Sequence, residues 1–552
     1  MNKLIWFVFV ALCYACKPGP TTDGVTPTDA AAEASGARMA VIRRDGSRLL
    51  GPDGQPIWLR GVAFGNEIWS NAPVPPTTHH TEVDYERVRD MGMNAVRFYL
   101  NYTFFEDDAR PYVYKQTGWA WLDQNIAWAK KHGIYLILNM HAPQGGYQSQ
   151  GNGKALWDVP ENQKRLTALW KAIAQRYATE PVIGGYDLVN EPNTTRSIDQ
   201  WKTLAQQITD AIRTVDRNHL VVIERVNAIN NEWKDFNGER NMFLINDSNV
   251  LYQFHTYDPH EYTHQLMSWT NLGDGGAYPD PNRVYAPSDA RWYAASFNNP
   301  ALAAGSSDWT YYEGTNYTVA DPKMKLAKAV IQVSKVGGGA VWLDDVVVKE
   351  YTTNGQFVRD VLWQPLNDQN GWYFWSSNNT GGWQLASEGH SDAKSLRFTG
   401  TTEDANAGCY ALPFAPKQGY AYRISGWMKT SNLPATATVR LRADFETSDQ
   451  PVFTRDKMYM LANIQPYLDW GKRNNVPLFM GEFGVGDPCF DNNKGGVQWV
   501  SDVLDIARPN NLHFTYHAYH EDSFGIYPGY GRLPVASEGN QPLIDLFRQK
   551  LK

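Results

Sequence analysis

At 552 residues the chain is longer than a typical domain, so at least two folded units are expected, and 43% hydrophobic residues are ample for packed cores. The formal charge of -7 carries no basic patch or run, which argues against nucleic acid as a partner and gives no attraction to an anionic membrane surface. The 21 Trp, 30 Tyr and 22 Phe exceed what is usual; a Trp-rich core and a set of aromatic platforms lining a cleft are both compatible with them.

The N-terminus reads as an export signal, with Lys3 as the positive region and residues 4–14 as an apolar stretch too short to span a bilayer. Ala15 before Cys16 resembles a relaxed bacterial lipobox, in which residues 1–15 are removed and Cys16 is lipidated. Cys13 and Tyr14 fit that pattern poorly, so ordinary signal cleavage is the rival reading. Either way a secreted, periplasmic or outer-surface bacterial protein is expected, touching membrane only through such an anchor. Residues 16–37, rich in Pro, Thr, Ala and Gly, read as a flexible linker. Only Cys409 and Cys489 remain beyond this segment, in different predicted domains, so no disulfide framework is expected.

A helix-then-strand rhythm follows. Helices are predicted at 83–91, 119–131, 163–178, 198–215, 457–473 and 497–507. Strands are predicted at 58–64, 95–99, 134–138, 185–189, 220–223, 250–254, 477–480 and 513–516. Apolar strands separated by helices mean a parallel sheet covered on both faces. Eight of them point to a (β/α)8 barrel, an α/β fold, with an open doubly wound sheet as the alternative. The rhythm breaks between residues 264 and 454, where alternating segments at 329–333, 340–349, 395–399, 421–429 and 438–445 predict an all-β sandwich. The expected organisation is therefore barrel strands one to six in 38–263, an inserted sandwich in 264–454, and strands seven and eight in 455–552.

Barrels act at the C-terminal ends of their strands. There the sequence places Arg97, Asn139 and His141, Asn190 and Glu191, His255 and Tyr257, Glu482, and His517 and Tyr519. Two carboxylates on non-adjacent strands are what glycoside hydrolysis needs, one to protonate the leaving oxygen and one to attack the anomeric carbon. Arg97 and Tyr257 near Glu482 would keep it ionised, as a nucleophile requires.

The segments Asn94-Ala-Val-Arg97, Leu138-Asn-Met-His141, Leu188-Val-Asn-Glu-Pro192, His255-Thr-Tyr257 and Phe479-Met-Gly-Glu-Phe483 occur in one order along the chain. In this the barrel resembles family 5 of the glycoside hydrolases, the cellulase family of the retaining barrel clan. The resemblance implies Glu191 as acid/base, Glu482 as nucleophile, Asn190 on the sugar 2-hydroxyl, and Arg97, His141, His255 and Tyr257 as support. Family members often carry a Trp after strand eight to floor the sugar at the cleavage point. Here His517 and Tyr519 stand there, with Trp69, Trp157 and Trp233 on other loops as candidate substrate contacts.

The pairs His79-His80 and His260/His264 lack a carboxylate signature and read as solvated loop histidines, so neither metal nor cofactor is expected. Segments of the insertion, residues 340–346, 389–398 and 422–427, resemble carbohydrate-binding β-sandwich modules of families 4 and 9, in the order of a circularly permuted module. Trp363, Trp372, Trp375 and Trp383 are candidate sugar platforms or core residues. The expected function is endo-β-1,4-glucanase-like hydrolysis of a β-glucan by a monomer. The alternatives are a mannanase, xyloglucanase or exo-β-glucosidase on the same fold, and a non-catalytic surface glycan-binding lipoprotein.

Overall fold

The computed structural model describes residues 39–149, 151–232, 238–270, 272–285, 293–298, 304–364, 366, 371–402, 406–448 and 452–552. The export signal, Cys16, the linker and Trp233 lie outside the described residues.

Eight parallel strands close into a barrel. In chain order they are β1 (Arg60–Phe64), β2 (Ala95–Asn101), β3 (Tyr135–Ala142), β4 (Ile183–Asp187), β5 (Val221–Glu224), β6 (Val250–Thr256), β7 (Leu478–Phe483) and β8 (His513–Tyr516). Hydrogen bonding runs from each strand to the next and from β8 back to β1, which excludes the open-sheet alternative. Every residue of β2 and β3 is buried, the pattern of a parallel strand packed on both faces.

The helices that cover the barrel have local causes. Capping boxes, Thr81 with Asp84 and Ser197 with Gln200, start the helices Glu82–Asp90 and Ile198–Arg213. Asp456 accepts from the amides of Met458 and Tyr459 to open Lys457–Asn474. Gly133, at φ 68°, ends Gln116–His132 in the left-handed conformation that costs glycine nothing.

None of the eight barrel strands comes from residues 264–454. Among the described residues, that stretch holds two large antiparallel sheets besides a two-stranded neck. One has the order Tyr293–Asn298, Thr438–Thr447, Met324–Ser334, Asn406–Ala411, Trp372–Ser376. The other has the order Gly305–Glu313, Ala421–Leu433, Ala340–Tyr351, Ser395–Thr399, Gly382–Ala386. Ile331, Leu441 and Phe445 from the first share a core with Leu343, Ile424 and Phe398 from the second. This core is separate from the barrel's. At the neck, Asp280–Tyr285 pairs antiparallel with Phe453–Arg455, bringing the chain's exit and return side by side. Cys409 in the sandwich and Cys489 after β7 are both buried free thiols. Trp372 is buried in the sandwich core, and Trp375 and Trp383 are half-buried. Trp363 lies in the strand Phe357–Gln364.

Candidate active site

The site forms where the C-terminal ends of the barrel strands converge. Successive strand residues point to opposite faces, so Arg97 and Tyr99 on β2 enter the barrel together, as do Asn139 and His141 on β3. Arg97 is fully buried, and its guanidinium is used on every side. Nε donates to Asp187 Oδ2 at 2.8 Å, Nη2 to Asn190 Oδ1 at 2.9 Å and Nη1 to Glu482 Oε1 at 2.6 Å. Two hydroxyls complete the Glu482 shell: Tyr99 donates to Oε1 and Tyr257 to Oε2, each at 2.7 Å. Burial on its own would push this carboxyl up. The positive field of His255, His517 and Arg97 overcomes it and holds Glu482 well below the usual carboxylate range. It is an anion.

Glu191 follows β4 with φ 44°, a left-handed conformation unusual for a residue other than glycine. Its Oε1 lies 3.1 Å from His255 Nδ1, which is also 3.6 Å from Glu482 Oε2. One carboxylate oxygen from each glutamate and a ring nitrogen of His255 all lie within 4.8 Å of one another. Unlike buried Glu482, Glu191 is partly open to a cavity of about 1200 Å³ that both line, together with Trp69, His264, Trp269 and His517. Burial lowers His141 well below the ordinary imidazole range and so keeps it neutral. Burial would also lower His255, but the adjacent carboxyl groups of Glu224 and Glu482 and the hydrogen bond to Glu191 raise it above its ordinary value.

Of the residues expected at the site, Arg97, His141, Asn190, Glu191, His255, Tyr257, Glu482 and His517 come together. Trp69 joins them, 41% exposed, with its ring 5.4 Å from His141. Tyr519 does not. After His517 the chain turns to follow β1, the Tyr519 amide bonds Ala63 O, and its buried hydroxyl donates to Asp84 Oδ1 behind the barrel wall. Trp157 is also no platform: it is buried against Trp201, with Nε1 donating to Gln148. His79 and His80 are not solvated loop residues but buried neighbours, with burial lowering His80 to about 4. His264 is buried too, while His260 is exposed, and both line the cavity.

The strand-end reading missed several residues. Tyr99 was available from the two-residue period starting at Arg97. Glu224 directly follows the apolar run 220–223 and ends β5 inside the barrel, fully buried. Asp187 ends β4 in the same way. Trp269, 60% exposed on the cavity wall with Nε1 donating to Ser523, sits on a loop with no pattern that could reveal it.

Residues 50–332, just over half of the chain, match the family model described as Cellulase (glycosyl hydrolase family 5). The chain belongs to this family. Endoglucanase C of Acetivibrio thermocellus is 30% identical over 196 residues, which are 35% of this chain and 54% of that protein. A β-xylosidase of Phanerodontia chrysosporium is 26% identical over 259 residues, 40% of this chain and 52% of that one. The chain thus spans about half the length of these curated relatives. An endoglucanase structure from the hyperthermophilic Thermotoga maritima aligns with 89% of this chain and 97% of its own, at 14% identity and a TM-score of 0.47. The family match ends before β7, so Glu482 lies beyond it.

Proposed function

We propose that this family 5 chain is a retaining endo-β-glucanase with Glu482 as nucleophile and Glu191 as acid/base. The observation that carries the reading is the spacing of the two carboxylates, with oxygens within 4.8 Å of each other. Retaining enzymes hold the pair about 5–5.5 Å apart, whereas inverting ones leave roughly 6.5–9.5 Å for a water. The Glu482 anion attacks the anomeric carbon as the glycosidic C–O bond breaks, and the leaving oxygen takes the Glu191 proton. Glu191, now a carboxylate, removes a proton from the water that attacks the glycosyl ester, and Glu482 departs as the anion.

The cavity exceeds the roughly 300–1,000 Å³ of a pocket for one drug-sized ligand, which suits several sugar units rather than one. The similarity to proteins named endoglucanase supports a β-glucan as that chain. The exposed rings of Trp69 and Trp269 are faces on which sugars can stack.

Glu482→Ala is expected to abolish turnover. Glu191→Ala should lose about 10²–10⁴-fold on unactivated glucan, far less on a dinitrophenyl cellobioside, and should yield a β-glycosyl azide when azide is added. An NMR time course should show the β-anomer as first product, and viscosity of a soluble β-1,4-glucan should fall ahead of reducing-end release. The α-anomer first, or a Glu482→Ala protein at the wild-type rate, would overturn the mechanism.

A further inference from the structure

Glu224 ends β5 beneath the Glu191 segment and touches the cavity nowhere. Its Oε2 accepts from the Glu191 amide at 2.8 Å and from Gln253 Nε2 on β6 at 3.0 Å. The same oxygen lies 3.5 Å from His255 Nε2, and the opposite ring nitrogen of that histidine meets Glu191 Oε1 at 3.1 Å. Glu224 therefore reaches Glu191 by two routes, one through the backbone and one through the His255 ring.

The backbone route answers a specific need. Glu191 sits at a positive φ that an L-residue disfavours, so something must hold its peptide group in place. A buried carboxylate oxygen receiving that N–H does so, and it satisfies a donor that would otherwise be buried unpaired. The ring route fixes rotation. His255 Nε2 lies 3.5 Å from Glu224 Oε2 and 3.4 Å from Gln253 Nε2, and the ring presents Nδ1 to Glu191, so the carboxyl cannot turn away without losing its partner. Gln253 anchors Glu224 in turn, and its side chain can cross β7 only because residue 481 is glycine: a Cβ there would sit 2.3 Å from Gln253 Oε1.

We propose that Glu224 is a positioning residue for the acid/base step, holding the Glu191 carboxyl on the leaving-group side of the cleft. The inference rests on the assignment of Glu191 as acid/base. Glu224 itself exchanges no proton with the sugar.

A role exercised through Glu191 shows itself in leaving-group dependence, which damage to the fold or to the nucleophile does not produce. Glu224→Met keeps volume but removes the acceptor, Glu224→Gln restores an oxygen acceptor without charge, and Gln253→Ala removes the anchor while leaving Glu224 present. Each is assayed on phenyl and 2,4-dinitrophenyl β-cellobiosides beside Glu191→Ala. Glu224→Met should lose about 30-fold in kcat with phenyl and less than about threefold with dinitrophenyl, at unchanged KM. Glu224→Gln should recover most of that loss, and Gln253→Ala should show a smaller loss with the same dependence. If Glu191→Ala is leaving-group dependent while the Glu224 and Gln253 variants lose equally on both substrates, or lose nothing, this inference fails alone. Equal losses in Glu191→Ala overturn it together with the acid/base assignment.

Discussion

Arg97 faces three carboxylates with one positive charge: Asp187 at 2.8 Å, Glu482 at 2.6 Å and Glu224 at 3.9 Å. Three carboxylates around Arg97 crowd negative charge into a low-dielectric interior, which favours a proton on one of them. Geometry selects which part. Glu482 takes a guanidinium N–H and two hydroxyls and stays ionised, whereas no hydrogen bond reaches Glu224 Oε1 and burial pushes its carboxyl up to about 7. His255 and Arg97 favour the Glu224 anion, and Glu191 and Asp187 oppose it. The folded state therefore binds a proton at Glu224 between about pH 4.5 and 7, where an unfolded glutamate has released it. Stability from this group is complete below about pH 4.5 and declines as pH rises toward 7. Glu224→Gln has no such proton to lose. Its melting temperature relative to the wild type should rise between pH 5 and pH 8; an offset constant across that range would show that Glu224 is ionised throughout.

At the scale of the elements, the barrel strands approach closely at two glycines whose neighbours differ in kind. A Cβ at Gly61 on β1 would fall 2.0 Å from the carbonyl oxygen of Ala95 on β2, a backbone atom fixed by the strand pairing. A Cβ at Gly481 on β7 would strike the side chain of Gln253 instead. Gly481→Ala should cost about 1–3 kcal/mol and Gly61→Ala more. The Gly481→Ala cost should nearly vanish in a Gln253→Ala background, whereas the Gly61→Ala cost should not. Thermal melts of the two double-mutant cycles check this, and additive costs at 481 would show that the strand, not Gln253, absorbs the strain.

The same distinction explains what could be read from the sequence. A parallel strand buried on both faces is an apolar run, and β2, β3 and β6 stand out for that reason. The site sits where such runs end in polar residues, so a strand judged to end at residue 223 hides Glu224, one position later. Tyr99 and Tyr519 look alike in sequence, yet the first lies within a strand whose two-residue period carries it inward. The second lies past a turn that carries it outward. Contacts between distant segments, such as Trp269 with Ser523, have no local periodicity from which to infer them.

For the whole molecule, the decisive feature is the neck at which the chain leaves the barrel and returns. Tyr285 pairs with Phe453 and Asp280 with Arg455, so the two ends of the intervening segment are neighbours in one antiparallel ladder. Arg455 ties the barrel to the start of the intervening segment: Nη2 donates to Glu261, Nε to the Tyr285 hydroxyl and Nη1 to Ala277 O. Among the described residues, the sandwich is tied to the neck by the Arg359 hydrogen bond to Asn282, the Val284 amide to Pro413 O and the bridge from Arg283 to Phe414. Barrel and sandwich have separate cores, and we propose that the sandwich is a separable module. Directly paired antiparallel residues lie about 4.5–5.5 Å apart, a gap that a two-residue turn spans. Replacing residues 286–452 with Asn-Gly should therefore leave a soluble barrel whose kcat on dinitrophenyl cellobioside stays within about threefold of the full chain. If the sandwich holds glucan, the shortened protein should also lose retardation on a β-glucan affinity gel that the full chain shows. A truncated protein that aggregates, or falls more than about tenfold in kcat on the soluble substrate, would show that the barrel depends on the sandwich.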